Sequence, residues 1–166
     1  MKLVTALALV IGLMGGVLTW LMFGPLTGLS LWAAFIAWGS FFHCGGGESG
    51  LQKSLLAGIW GAVMATVALA VLPSLGALGS LAAPVAVGAT VAIMILGAHI
   101  PALSAIPAAV YGFAATAAFA LLMGDKASVL GTTIMDSPLL NVVSSMVIGG
   151  IFGYVSEKIA GALAAK

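Results

Sequence analysis

No residue from Leu3 to Gly47 carries a formal charge, and none does from Ser54 to Gly124. An ionic side chain at a bilayer centre costs roughly 2.5–3.5 kcal/mol even on the mildest scale. A chain that avoids that cost over such lengths is built for hydrocarbon. Its five Lys and four Asp or Glu fall in small groups, there is no Arg, and 63% of the residues are hydrophobic. This composition excludes disorder, nucleic-acid binding and a disulfide scaffold. The net charge of +1 leaves no basic block for DNA or an anionic lipid surface. Cys44, the single cysteine, has no partner for an internal disulfide.

A spanning helix needs about 20 mostly apolar residues. Six segments are expected to serve within one integral membrane domain over 1–166: 3–23, 29–43, 51–72, 78–99, 103–123 and 139–162. The first run could pass for a signal peptide, but it continues unbroken to Phe23 with no small-x-small cleavage site and reads as a retained helix. Gly24-Pro25, Pro73, Pro101 and Gly124-Asp125 close segments, and irregular breaks are expected near 44–50 and 100–107. Ser49-x-x-Gln52 reads as a capping box. Ser137-Pro138 places a cap residue before a proline at the first helical position. The expected fold is an all-α bundle of six transmembrane helices.

With six spans, Lys2, Lys53, Lys158 and Lys166 share one side and Lys126 stands on the other, so both termini are expected to be cytoplasmic. Small residues recur at helical spacing at Gly12/Gly16, Ala57/Gly61, Ala108/Gly112 and Ser145/Gly149/Gly153. Such stripes let helix backbones approach closely where lipid supplies no hydrophobic driving force. A weak internal repeat is visible in two versions. Gly58-Ile59-Trp60-Gly61-Ala62-Val63 matches Gly150-Ile151-Phe152-Gly153-Tyr154-Val155, implying two three-span halves of opposite orientation. It also matches, more loosely, Ala109-Val110-Tyr111-Gly112-Phe113-Ala114, implying halves of the same orientation and setting His43 against His99. The sequence leaves both open.

Interrupted apolar segments in corresponding parts of a chain point to a transport site, because backbone that leaves the helix is free to meet a solute. His43-Cys44-Gly45-Gly46-Gly47-Glu48 is the densest polar cluster, and the break after His99 carries Ser104. His43 and His99 have two readings: a polar mouth that binds a solute or relays a proton, or caps on helix C-termini. Metal binding by His43, Cys44, Glu48 and His99 fits no standard ligand spacing, and no metal is expected. Asn141 either bridges helices or lines a path. Glu157-Lys158 is expected to reach the membrane interface. There is no Ser-His-Asp set, no phosphate-binding Gly-x-x-x-x-Gly-Lys and no mid-span carboxylate, so neither an enzyme nor a cofactor is expected.

Leu29-Ser30-Leu31-Trp32-Ala33-Ala34-Phe35, the Cys44-Gly45-Gly46-Gly47 segment, Ile106-Pro107 and Ile151-Phe152-Gly153-Tyr154 together resemble the YcdZ-like family of small bacterial inner-membrane proteins, a domain family of unknown function. The resemblance implies a bacterial inner-membrane location and carries no activity with it. The leading functional expectation is a channel or facilitator for a small polar, neutral or weakly charged solute, working as a homo-oligomer in contact with membrane lipid. Its pathway residues would be His43, Cys44, Gly45, Gly46, Gly47, His99, Ser104 and Asn141. The alternatives are a non-transporting structural or partner subunit of a membrane complex and, behind it, a metal permease.

Overall fold

The structure is a computed structural model and describes residues 1–164; Lys166, one of the lysines used for the topology expectation, lies outside them. Six α-helices follow one another: α1 (Leu3–Phe23), α2 (Leu31–His43), α3 (Gly47–Val71), α4 (Ala82–Leu96), α5 (Ile106–Met123) and α6 (Pro138–Ala164). There is no strand among the described residues. Four stretches are long and apolar enough to cross a membrane, Leu3–Phe23, Gly47–His99, Ile106–Lys126 and Pro138–Ala164, and Leu31–His43 is a shorter apolar helix. The expectation of an all-α membrane-type chain holds at this level. The expected count of six crossings goes further, since α2 has only 13 residues against the about 20 of a full span.

Gly47–His99 is not one rod. A 3-10 segment, Leu72–Leu81, follows α3, and Gly79 within it adopts φ 55°, a left-handed conformation that turns the chain. Beyond it α4 returns along α3, so that Ala65 and Ala68 face Ala83 and Ala86, while Trp60 Nε1–H donates to the Met94 carbonyl at 3.1 Å.

Successive helices alternate in direction, and parallel partners meet through small residues. A Cβ on Gly61 would fall onto the Ala109 carbonyl, and one on Gly112 onto the Gly58 carbonyl. The backbones of α3 and α5 therefore touch, which only glycine permits at those points. The same holds for α2 and α6, where a Cβ on Gly149 would meet the Ala34 carbonyl and one on Gly153 the Phe41 ring. α1 runs antiparallel along α6, Ala6 and Val10 packing with Ala160 and Leu18 clustering near Ile148 and Phe152. The expected small-residue packing is thus found on α3, α5 and α6. Gly12 and Gly16 of α1 have open space beside them.

Two expected boundaries are corrected. The break between α2 and α3 is shorter than 44–50, because helix resumes at Gly47. Ser49 consequently lies inside α3 and caps nothing; the helix begins after Gly46, whose φ of 70° ends the preceding turn. Ser137 does act as a cap, its Oγ accepting the Leu140 N–H at 3.3 Å.

Candidate functional site

α2 and α5 touch only loosely, and a group of polar residues lines the space between them at one end of the bundle. At the end of α2 the chain breaks through Gly45, Gly46 and Gly47 with φ of 92°, 70° and 62°. At the same end of the bundle, a 3-10 turn, Pro101–Leu103, precedes α5. The two breaks face each other across an open pocket of about 440 Å³ lined by His43, Cys44, Gly45, Lys53, Ser104 and Pro107. The expected cluster is therefore brought together in part: His43, Cys44, Gly45 and Ser104 share one cavity.

His43 is exposed at the C-terminal end of α2, and its Nδ1 lies 3.0 Å from the Tyr111 hydroxyl on α5. Tyr111 was not foreseen as a site residue. Below it, Ser54 Oγ donates to Ser40 Oγ at 2.8 Å across α2 and α3, with both residues buried. Ser40 also bonds the half-buried Cys44 thiol. Burial pushes that thiol above its ordinary range, while the Ser40 hydrogen bond and the Lys53 charge pull the other way. At neutral pH Cys44 is a protonated hydrogen-bonding group. Ser40 and Tyr111, with Phe35, Ile36, Gly39 and Ala114, line a second open pocket of about 360 Å³ midway along α2 and α5.

Other expected residues stand apart. His99 ends a short 3-10 turn, Gly97–His99, as an exposed residue and does not line the pocket. Gly46 and Gly47 serve the chain turn itself: the Glu157 carboxylate accepts the Gly47 N–H at 2.8 Å, and a Cβ on Gly46 would collide with it. Glu157 thus caps the first turn of α3. Asn141 is fully buried at the opposite end of the bundle. Its Oδ1 accepts from Ser30 Oγ at 2.7 Å, and its Nδ2 donates to the carbonyls of Gly28 at 2.6 Å and Ile134 at 2.9 Å. It bridges α6 to the turn before α2.

Among the described residues no three His, Cys, Asp or Glu side chains converge to hold a metal ion. Among the described residues, Lys53 is the one cation that lines the polar mouth, and no carboxylate lines it. The arrangement offers hydroxyls, an imidazole, a thiol, the Lys53 ammonium and backbone groups, all of which can hydrogen-bond. Tyr111 and Ser40 escaped the sequence reading because a lone polar residue in an apolar helix has no spacing signature, whereas Lys53 was read for topology alone. The looser repeat containing Tyr111 was the sole signal near one of them.

No curated protein and no solved structure matches the chain. The expectation of an uncharacterised family is met, for the family model described as "Protein of unknown function (DUF1097)" matches residues 8–161, and the chain belongs to that family.

Proposed function

We propose that this protein is a membrane channel or facilitator that lets a small polar, neutral or weakly charged solute pass without chemical change. Its six α-helices each cross the bilayer in this reading, α2 with the help of the flanking turns. In this reading the polar mouth and both termini face the cytoplasm of a bacterial inner membrane, which the lysines at 2, 53 and 158 support through the positive-inside tendency. The observation that carries the proposal is the pocket of about 440 Å³ at the paired chain breaks, polar at its rim and continued inward by His43–Tyr111 and Ser40–Ser54. Polar groups at depth in a membrane protein are costly unless they serve a partner or a path. The seam between α2 and α5 is open on its outer side, as the exposed Phe35 and Gly39 show. A homo-oligomer supplies the enclosure that one subunit of this size lacks.

The test is solute flux into liposomes containing the purified protein, using urea, ammonia and formate as probes. Flux above that of empty liposomes, reduced several-fold by His43→Ala, supports the proposal. Wild-type protein that is folded yet moves none of the three overturns it in favour of a non-transporting subunit.

A further inference from the structure

Exchanging α1 with α4, α2 with α5 and α3 with α6 maps each pairing among the six α-helices onto another or, for α3–α6 and α2–α5, onto itself. α2 packs most extensively on α6, and α5 on α3; α1 packs on α6, and α4 on α3. The Gly58-Ile59-Trp60-Gly61 stretch of α3 corresponds to Gly150-Ile151-Phe152-Gly153 of α6. Gly61 seats α5 as Gly153 seats α2. Trp60 packs toward α4 beside Met94, and Phe152 packs in the cluster that holds Leu18 of α1. Because helix directions alternate, halves of three helices have opposite orientation, so the relation is a twofold axis lying across the bundle. This favours the inverted version of the repeat over the one that pairs His43 with His99.

The cavities obey the same exchange. The polar pocket lies between the end of α2 and the start of α5, near Cys44 and Pro107. A pocket of the same volume, about 440 Å³, lies at the other end of the bundle between the end of α5 and the start of α2, near Met123 and Leu31. The pocket of about 360 Å³ holding Ser40 and Tyr111 sits between them, where the axis crosses α2 and α5. The seam between these two helices is thus a row of three cavities running from one end of the bundle to the other.

We infer that this seam is the solute route and that its middle cavity is the binding site, with the Tyr111 hydroxyl as its hydrogen-bonding group. The inference rests on the facilitator reading above and names its site. Paired repeats of opposite orientation place transport sites at their interface near the midplane. No charged side chain lines the middle cavity. The ligand class that fits is a small neutral solute with both a donor and an acceptor. The two ends differ chemically: His43, Lys53 and Ser104 make one mouth polar, whereas Trp32, Phe119 and Leu122 make the other aromatic and apolar.

The experiment blocks the middle cavity after folding. In a Cys44→Ala background, Gly39→Cys and Ala114→Cys are reconstituted in liposomes and treated with a small thiol-directed methanethiosulfonate, with labelling verified by mass and urea influx as the readout, each variant's own unlabelled influx serving as its reference because Cys44 itself lines the polar mouth. Gly39 has open space for a side chain, with nothing within 4 Å of an added Cβ, and Val85→Cys on the exposed face of α4 is the control. Labelling at both seam positions is expected to cut urea influx by roughly tenfold, as filling a constriction does, with the control unchanged and Tyr111→Phe slowed before any labelling. Urea influx that survives complete labelling of both seam cysteines overturns the route and leaves the facilitator reading standing. Absence of influx in the unlabelled wild type, for urea and the other probes, overturns both.

Discussion

Glu157 is one of four carboxylates in the chain, and it is spent on a backbone amide. Its carboxylate accepts the Gly47 N–H at 2.8 Å, satisfying one of the amides that the first turn of α3 leaves without a partner. The negative charge at a helix N-terminus adds favourable interaction with the helix dipole, up to about 2 kcal/mol where the site is partly buried. Gly46 is required twice over, by its φ of 70° and by the carboxylate that occupies the space a Cβ would take. Glu157→Gln is expected to lower stability by about 1 kcal/mol and Gly46→Ala by more, read as a fall in the thermal unfolding midpoint in detergent. Midpoints equal to the wild type in both variants would show that this contact does not hold the α2–α3 turn. The sequence pointed instead to Ser49 and Gln52, because a local capping pattern is visible in a string of letters. A cap delivered from α6, 110 residues away, is not. The Ser137 cap was legible for the converse reason: donor and acceptor lie three residues apart.

At the scale of the helices, the bundle is held where backbones touch. In lipid, burying an apolar face gains little, and close approach through small residues takes over. The points of closest approach are Gly61 on Ala109, Gly112 on Gly58 and Gly149 on Ala34, each backbone against backbone. Neither neighbour can yield as the tip of a flexible side chain would. Overpacking a well-packed site costs typically 1–3 kcal/mol, and Gly149→Val, Gly61→Val and Gly112→Val are each expected to reach or exceed the upper end. Gly88→Val, beside open space on α4, is expected to stay near the wild type. Unfolding midpoints measured side by side decide it; a Gly88 variant as damaged as the other three would mean that helix propensity, rather than contact, governs. These stripes were readable in the sequence because small residues three or four apart share one face of a helix. Which stripe meets which helix was not, since nothing in the spacing names the partner. The length of α2 was only half legible: apolar letters begin at Leu29, but the Gly28 and Ser30 contacts with Asn141 and Ser145 hold the chain in a turn until Leu31.

Across the whole molecule, alternating helix directions sort the polar residues into two groups. The end of α2, the start of α3 and the approach to α5 gather Cys44, Lys53 and Ser104 at one end, together with the first residues of α1 and the last turns of α6. Lys126, Asp136 and the Asn141 bridge lie at the other. With six spans assumed, the lysines divide in the same way, and the helix packing brings the same residues to the same ends through contacts such as Trp38 Nε1–H donating to Ser156 Oγ at 3.0 Å. If all six helices cross, as the facilitator reading proposes, an impermeant thiol reagent is expected to meet Cys44 from one side of the membrane and a cysteine at Lys126 from the other. In a Cys44→Ala background, Lys126→Cys is expected to label in intact spheroplasts and Lys2→Cys only in inverted vesicles, matching the side that the positive-inside tendency assigns. Ser104→Cys, at the rim of the polar pocket, should follow Lys2→Cys. If Ser104→Cys instead labels with Lys126→Cys, α5 (Ile106–Met123) does not hold its two ends on opposite sides of the membrane, and the two-mouthed seam between α2 and α5 loses the arrangement on which a through-route depends.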